Sequence, residues 1–344
     1  MLGTVTNSKI NEASGIVASR QYPGVFWTHN DSGDAPLLYA IDATGKYLGQ
    51  WRVDAAQATD WEDLAYGRCA QGADTFCLYV GDFGNNSKQR QDLAVYRVEE
   101  PAVDINAAMP ADATTAKAER FAFRYPAAIG NHDAETLLAA PDGQLFVMTK
   151  GSPTHLVKLP LDANGEQEAT LLASYDGLST LTGGDLSADG GMLVVRNYLR
   201  AWVYHVQDVN ALTDALKISP TIIRLRAEPQ GEAITFDAQN HLITLSEKTN
   251  QPLWQYRCVP QIEEMTNDMQ PDMIADMTND MHQAPDQPDD MPDLTILPPS
   301  QTDGQGDNGG CAQTPSGPPL GMGLMMLMLG FFCRFYRGGS CRSK

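Results

Sequence analysis

The chain is 344 residues long and carries 43 acidic against 24 basic side chains, a net charge of −19. That length accommodates one or two domains with a sizeable core. The acidic surplus excludes a nucleic-acid backbone as partner, because binding one takes an excess of positive charge.

The first residues, Leu2 to Thr6, form a short β-rich run. From Glu12 similar units recur: EASGIVAS then GVFWTHNDSGD, WEDLAYG then CLYVGDFGNN, DAETLLAA then GQLFVMTKG, GGDLSADG then GMLVVRNY, and GEAITFD then HLITLSEK. Each opens with an acid beside an apolar run, makes a Gly, Asp or Asn turn, and rises again through a strand. A third strand follows in every unit, starting near Leu37, Leu93, His155, Ala201 and Pro252. A fourth closes most of them, over 47–53, 120–125, 169–175 and 221–225. Four short antiparallel strands repeating every 40 to 50 residues or so describe a propeller blade. The expected fold is all-β, a five-bladed β-propeller over residues 1–258. The opening run would supply the strand that the fifth unit lacks. Six blades are the alternative, if a degenerate unit hides between Glu99 and Glu119. Cys69 and Cys77 flank a hairpin turn closely enough to bridge, with two reduced thiols as the alternative.

Residues 259–310 contain no Lys or Arg and repeat Asp, Met, Asn and Pro. Such a segment cannot bury enough apolar surface to offset its ordering entropy, so a disordered acidic linker is expected. The last part, 311–344, has a short apolar run from Pro319 to Phe332, bounded by Arg334, Arg337 and Arg342. It reads as a hydrophobic helix inserted in a membrane, with its basic end on the cytoplasmic side.

In a propeller the first strand of each blade lines the central channel. Its start and the end of the second strand lie on one face, here called the near face. The far-face turns, such as Ala140 to Gly143, are plain turn formers. The near face collects acids at first-strand starts, among them Asp60, Asp63 and Asp133, and His29, Asn30, Asp31, Asp34, Asn85 and Glu247 at second-strand ends. One acid per blade gives a ring of Glu12, Glu62, Glu135, Asp185 and Glu232. Crowded like charges repel unless compensated. A hard cation such as Ca²⁺ would do this, with Asp82 as a further ligand. Lys150, Arg196, Arg90 and Lys248 are the other possible agents. The structural alternative is that each acid caps its own blade by accepting backbone N–H bonds.

As a set, NEASGIVAS, WTHNDSGD, DWEDLAYG, LYVGDFGNN, HDAETLL, VMTKG, TGGDLSADG, VVRNY, GEAITF and LSEK resemble a bacterial family of phytase-like, esterase-like propellers. The resemblance spans Ile10 to Cys258. It implies a metal ion in the channel and a polar substrate pocket on the near face. The family's usual Gly-Asp-Asn after the second strand of the second blade is here Gly84-Asn85-Asn86, which removes one carboxylate. The tail, with Gly-Gly-Cys at 309–311, is similar to the C-terminal sorting signals of myxobacteria and their relatives. That similarity implies export, membrane anchoring and processing near Cys311, leaving the propeller at the cell surface. No signal peptide precedes the first strand, so the expectation is a true start further upstream, the alternative being a protein that stays inside.

Two functions compete. In one, a Ca²⁺-dependent hydrolase cleaves a small anionic phosphate or carboxylate ester. Lys150, Arg196, Asn197, Lys248 and Arg90 hold the anion, and His29, Asp31, His132 or Glu135 moves protons. In the other, a non-catalytic surface module binds a ligand or protein on the same face. A lactonase-like hydrolase is a third possibility. No Gly-x-Ser-x-Gly nucleophile is present. A monomer is expected.

Overall fold

The computed structural model describes residues 1–260 and 331–333. Strand β1 is Gly3–Val5. Blade 1 holds β2 (Ala13–Ala18), β3 (Val25–Asn30), β4 (Leu37–Asp42) and β5 (Tyr47–Asp54). Blade 2 holds β6 (Trp61–Arg68), β7 (Phe76–Asp82) and β8 (Ala94–Glu99). A strand that belongs elsewhere, β9 (Ala111–Lys117), then precedes blade 2's outer strand, β10 (Glu119–Arg124). Blade 3 is β11 (Ala134–Ala139), β12 (Leu145–Thr149), β13 (Thr154–Lys158) and, after the two-residue β14 (Gln167–Glu168), β15 (Thr170–Tyr175). Blade 4 is β16 (Gly183–Leu186), β17 (Met192–Arg196), β18 (Arg200–His205) and, after the single helical turn α1 (Leu212–Ala215), β19 (Thr221–Arg224). Blade 5 is β20 (Gly231–Phe236), β21 (Leu242–Ser246) and β22 (Gln251–Tyr256).

The first strands touch in cyclic order, β2 to β6, β6 to β11, β11 to β16, β16 to β20 and β20 back to β2. The ring therefore has five blades. Strand β1 closes it by pairing antiparallel with β22, Gly3 opposite Leu253. The segment considered for a sixth blade instead yields β9, which pairs in parallel with β5 as a fifth strand of blade 1. Strand β14 adds a fifth strand to blade 2, parallel to β10.

Each blade presents both faces to neighbours, so its inner strands are apolar on both sides and read as continuous runs. All six residues of β11 are buried, as are all five of β12. The core is accordingly five wedges, one per gap between blades. Trp27, Trp51 and Trp61 fill the wedge between blades 1 and 2, the first two edge to face at 4.9 Å. Glu100 lies inside this wedge, accepting from Trp27 Nε1 at 2.8 Å and from the Tyr66 hydroxyl. A buried carboxylate is tolerated there because both donors satisfy it.

Cys69 and Cys77 form a disulfide, Cα to Cα 4.9 Å, across the far-face end of the β6–β7 hairpin. Cys258–Pro260 pairs with Phe331–Cys333 as a two-stranded ribbon. Phe331 and Phe332, expected at the end of the tail helix, are thus in a strand; the linker beyond Pro260, the other residues of the expected helix and the processing residue Cys311 lie outside the described residues. Among the described residues no helix is long and apolar enough to cross a membrane.

Candidate functional site

Three first strands carry a β-bulge at the same place. The register of β6 against β7 slips between Trp61 and Asp63, that of β11 against β12 between Ala134 and Thr136, and that of β20 against β21 between Gly231 and Ala233. The inserted residues are Glu62, Glu135 and Glu232, all buried. A bulge breaks the alternation of the strand and re-aims one side chain. In blade 1 the slip falls at Ser14 and Gly15, and β16 of blade 4 runs straight with Gly184 at the equivalent station.

The bulges bring carboxylates from four blades together. Ligand oxygens of Glu62, Asp133 and Glu135 lie within 4.8 Å of one another, as do those of Asp31, Asp60 and Glu62, and those of Asp31, Glu232 and Glu247. Asp31 and Glu62 each belong to two of these groups. Gly84 presses against them: a Cβ there would stand 2.1 Å from Glu62 Oε1 and 2.5 Å from Asp60 Cγ. Only glycine lets the β7 loop approach so closely.

Two ammonium groups reach this set. Lys150 pairs with Glu135, and Lys248 stands 3.4 Å from Glu247. Burial lifts Glu62 well above the carboxylate range, and Glu135 and Asp31 beside it add to the rise. Burial and then Glu135 and Glu247 push Glu232 up to about 8. Glu135 rises to about 7, burial outweighing the pull of Lys150. Asp31 rises to about 6, chiefly by burial, with Asp60 and Glu247 contributing. Burial pulls the Lys150 ammonium down, but Glu135 outweighs it and the net shift is upward. A set of acids held this far from ionising is short of positive charge. Its donors are all carboxylate oxygens, which suits a hard cation such as Ca²⁺, and no histidine or cysteine belongs to any of the three groups.

Several expected site residues lie elsewhere. Glu12 sits two residues ahead of the bulge station, level with Asp60 and Asp133, and belongs to none of the three groups. Asp185 lies one residue past that station, level with Asp63, on the unbulged β16. Its carboxylate accepts from Phe236 N at 2.9 Å and Thr235 Oγ1 at 2.7 Å, tying blade 4 to blade 5. Asp63 does the same for blades 2 and 3 through Leu137 N at 2.8 Å. These two acids cap backbone as the alternative reading held, Asp63 taking Leu64 N of its own blade at 2.8 Å, and both cap the next blade as well. Asp82 accepts from Arg90 Nη2 at 2.9 Å and Asp60 N at 3.0 Å. Arg90 also holds Asp92 and Gly84 O. The pair braces the Gly84 loop and belongs to no carboxylate group.

Arg196 is fully enclosed, bonded to Glu228 at 2.7 Å and Ala233 O at 3.0 Å, and leaves no face for a substrate. Asn197 Oδ1 accepts from Leu199 N and Arg200 N and shapes a turn. His29 is sealed between blades 1 and 2, edge to face with Trp61. Its Nδ1 lies 2.8 Å from Asn30 O, and burial holds it down at about 4, so it is neutral near pH 7. His132 turns its Nε2 to Ile129 O at 2.9 Å and packs against Tyr125 and His155. Asp31, Glu62, Glu135, Glu232, Lys150 and Lys248 remain at the mouth. Tyr198 joins them unannounced: its hydroxyl is 3.5 Å from Glu232, and burial pushes it up to about 12. Its place straight after Arg196-Asn197, at a second-strand end, was the available signal.

No protein-family model and no curated protein matches the chain. Among solved structures it is similar to the hydrazine synthase of Kuenenia stuttgartiensis, with a TM-score of 0.35 and 10% identity over 71% of each chain. It is also similar to a putative 6-phosphogluconolactonase from Bacteroides uniformis, with a TM-score of 0.34 and 11% identity, covering 72% of this chain and 68% of that one.

Proposed function

We propose that the near mouth of the propeller is a Ca²⁺-dependent site for a small anionic ester, which it binds and hydrolyses. The observation that carries this reading is the convergence of three bulge-borne glutamates with Asp31, Asp60, Asp133 and Glu247, met among the described residues by two ammonium groups and by Arg90 near Asp60. Asp31 and Glu62 are the shared ligands, with Asp60, Asp133, Glu135, Glu232 and Glu247 completing the set. When bound, the cation polarises an ester oxygen and makes a coordinated water more acidic.

The protein's own groups have separable tasks. Lys150 and Lys248 are the cations placed to meet an anionic group. With His29 sealed and His132 turned away, proton transfer falls to the carboxyls. Without an ion Glu135 stands at about 7 and Glu232 at about 8; a bound dication would lower whichever of them it ligates, so the proton would pass to the one left unligated. Tyr198 covers Glu232 and is placed to donate to a bound oxygen.

A binding module without turnover is the second reading. It is favoured by the make-up of the three groups, which among the described residues hold carboxylates and neither histidine nor cysteine. The disulfide supports an exported protein, since such bonds persist in oxidising compartments. We place the propeller outside the cell, anchored through its tail, as part of the same proposal.

Chelation is expected to lower the melting temperature and Ca²⁺ to restore it. A panel of phosphomonoesters and aryl esters then separates the two readings. Turnover lost in Glu135→Gln and in Lys150→Ala supports the hydrolase. Retained ligand binding with no turnover supports the module. A melting curve indifferent to Ca²⁺ removes the metal from both readings and overturns the Ca²⁺-dependent hydrolase.

A further inference from the structure

We propose a second metal site, distinct from the channel mouth, in which His132 and His155 together bind a d-block dication of the Cu²⁺ or Zn²⁺ class. His132 lies in the loop ahead of β11, and His155 is the second residue of β13. Their ring centres are 4.6 Å apart, with the planes at 68°. Two imidazoles on one cation, with metal–nitrogen bonds of about 2.0 Å, have ring centres roughly 4.5–5.5 Å apart. The observed pair falls within that span.

Hydrogen bonding fixes which nitrogens are available. His132 Nε2 is 2.9 Å from Ile129 O, and a carbonyl only accepts, so Nε2 carries the hydrogen and Nδ1 keeps its lone pair. His155 Nδ1 is 2.7 Å from Ser174 Oγ, which occupies that nitrogen and leaves Nε2. Ligating histidines are characteristically held in this way through the nitrogen that does not meet the metal. Tyr125 packs edge-on to His132, and its buried hydroxyl has no partner among the described residues, an oxygen with unused capacity in the same cluster. His132 is half-buried, so solvent and a hydrated ion reach it.

The chemistry separates this site from the mouth. Imidazole nitrogen suits Cu²⁺ and Zn²⁺, whereas carboxylate oxygen suits Ca²⁺. A metal here fastens the segment leading to Asp133 and Glu135 onto the third strand of blade 3.

The test is Cu²⁺ titration of the full chain in saturating Ca²⁺, read by electron paramagnetic resonance and by the affinity. The expected spectrum shows coupling to two imidazole nitrogens. His132→Gln and His155→Gln should each remove one nitrogen and weaken binding at least tenfold. Ser174→Ala, which frees the anchored nitrogen of His155, should weaken it roughly 10- to 100-fold. Should the buried His155 variant fail to fold, the half-exposed His132 variant and Ser174→Ala carry the test alone. The Met and Cys residues beyond 258 also attract copper, so only the difference from the parent counts. A parent spectrum without nitrogen coupling, or one unchanged in His132→Gln, overturns the proposal.

Discussion

Replacing Glu232 by Gln should make the metal-free protein more stable, by an amount that grows from pH 4.5 and is complete above about pH 8. Glu232 is 4% exposed and has Gln230 Nε2 at 3.4 Å, the Tyr198 hydroxyl at 3.5 Å and Glu247 close by. Burial carries its pKa from 4.5 to about 8. The folded chain therefore keeps a proton that the unfolded chain releases above pH 4.5. The folded state binds more protons throughout this window, so stability falls as pH rises and levels off above pH 8. The shift spans about 3.5 units at about 1.4 kcal/mol each, a ceiling of about 5 kcal/mol. Glu135 and Glu247 share the strain, so about half of that, 2–3 kcal/mol, is the reasoned size. For a propeller of this length, that corresponds to roughly 5–10 °C in melting temperature. The assay is thermal unfolding in EDTA at pH 5, 7 and 9. Parent and variant should coincide at pH 5, where the glutamate is protonated and resembles glutamine. At pH 9 the variant should melt roughly 5–10 °C higher. Added Ca²⁺ should raise the parent and do much less for the variant. A variant that melts at or below the parent at pH 9 in EDTA would refute the reasoning.

Gly84→Ala should lower Ca²⁺ affinity at least tenfold by calorimetry, because its Cβ would displace Glu62 and Asp60; unchanged affinity would move the site away from that loop. Arg196→Met leaves Glu228 buried without its partner and should cost about 3–5 kcal/mol of unfolding free energy, recovered in part by adding Glu228→Gln. A stable Arg196→Met protein that has lost ligand binding would return Arg196 to the mouth. Replacing Cys69 and Cys77 by Ala removes a crosslink closing a short loop and should cost about 2–3 kcal/mol in denaturant unfolding. Ca²⁺ affinity should not change, since the bridge lies at the opposite end of the hairpin.

The blades were readable because their inner strands are buried on both sides. Runs such as Leu145–Thr149 therefore stay apolar without interruption, and the turns between them carry Gly, Asp and Asn. The closing strand was readable for the complementary reason, a β-rich run with no partner of its own. The site was harder to read because its geometry depends on bulges. Counting any acid beside an apolar run as one station put Glu12, Glu62 and Asp185 together, yet they differ by up to three positions. A shift of a single residue turns a strand side chain to the other face. The local repeat does carry a finer signal, the D-x-E spacing of Asp60 with Glu62 and of Asp133 with Glu135. Arg196 misled because its partner, Glu228, lies 32 residues onward in the approach to the next blade, where no local pattern marks it. Strand β9 was illegible for a similar reason. Its ADATTAK is mostly polar and has no alternation, and its partner strand lies far back in the chain.

That returning strand bears on how the molecule is made. Blade 1 acquires its outer strand only when residues 111–117 have emerged from the ribosome, and β1 finds β22 only after Leu253 has been added. Until then a nascent chain exposes the unpaired rim of its first sheet and a strand β1 without its partner. Edges of this kind invite pairing with other chains, and contacts so distant in sequence form late. Vectorial synthesis thus leaves this ring open to misassembly until nearly all of its five sheets exist, and a truncation before Leu253 should yield aggregate in place of a smaller propeller.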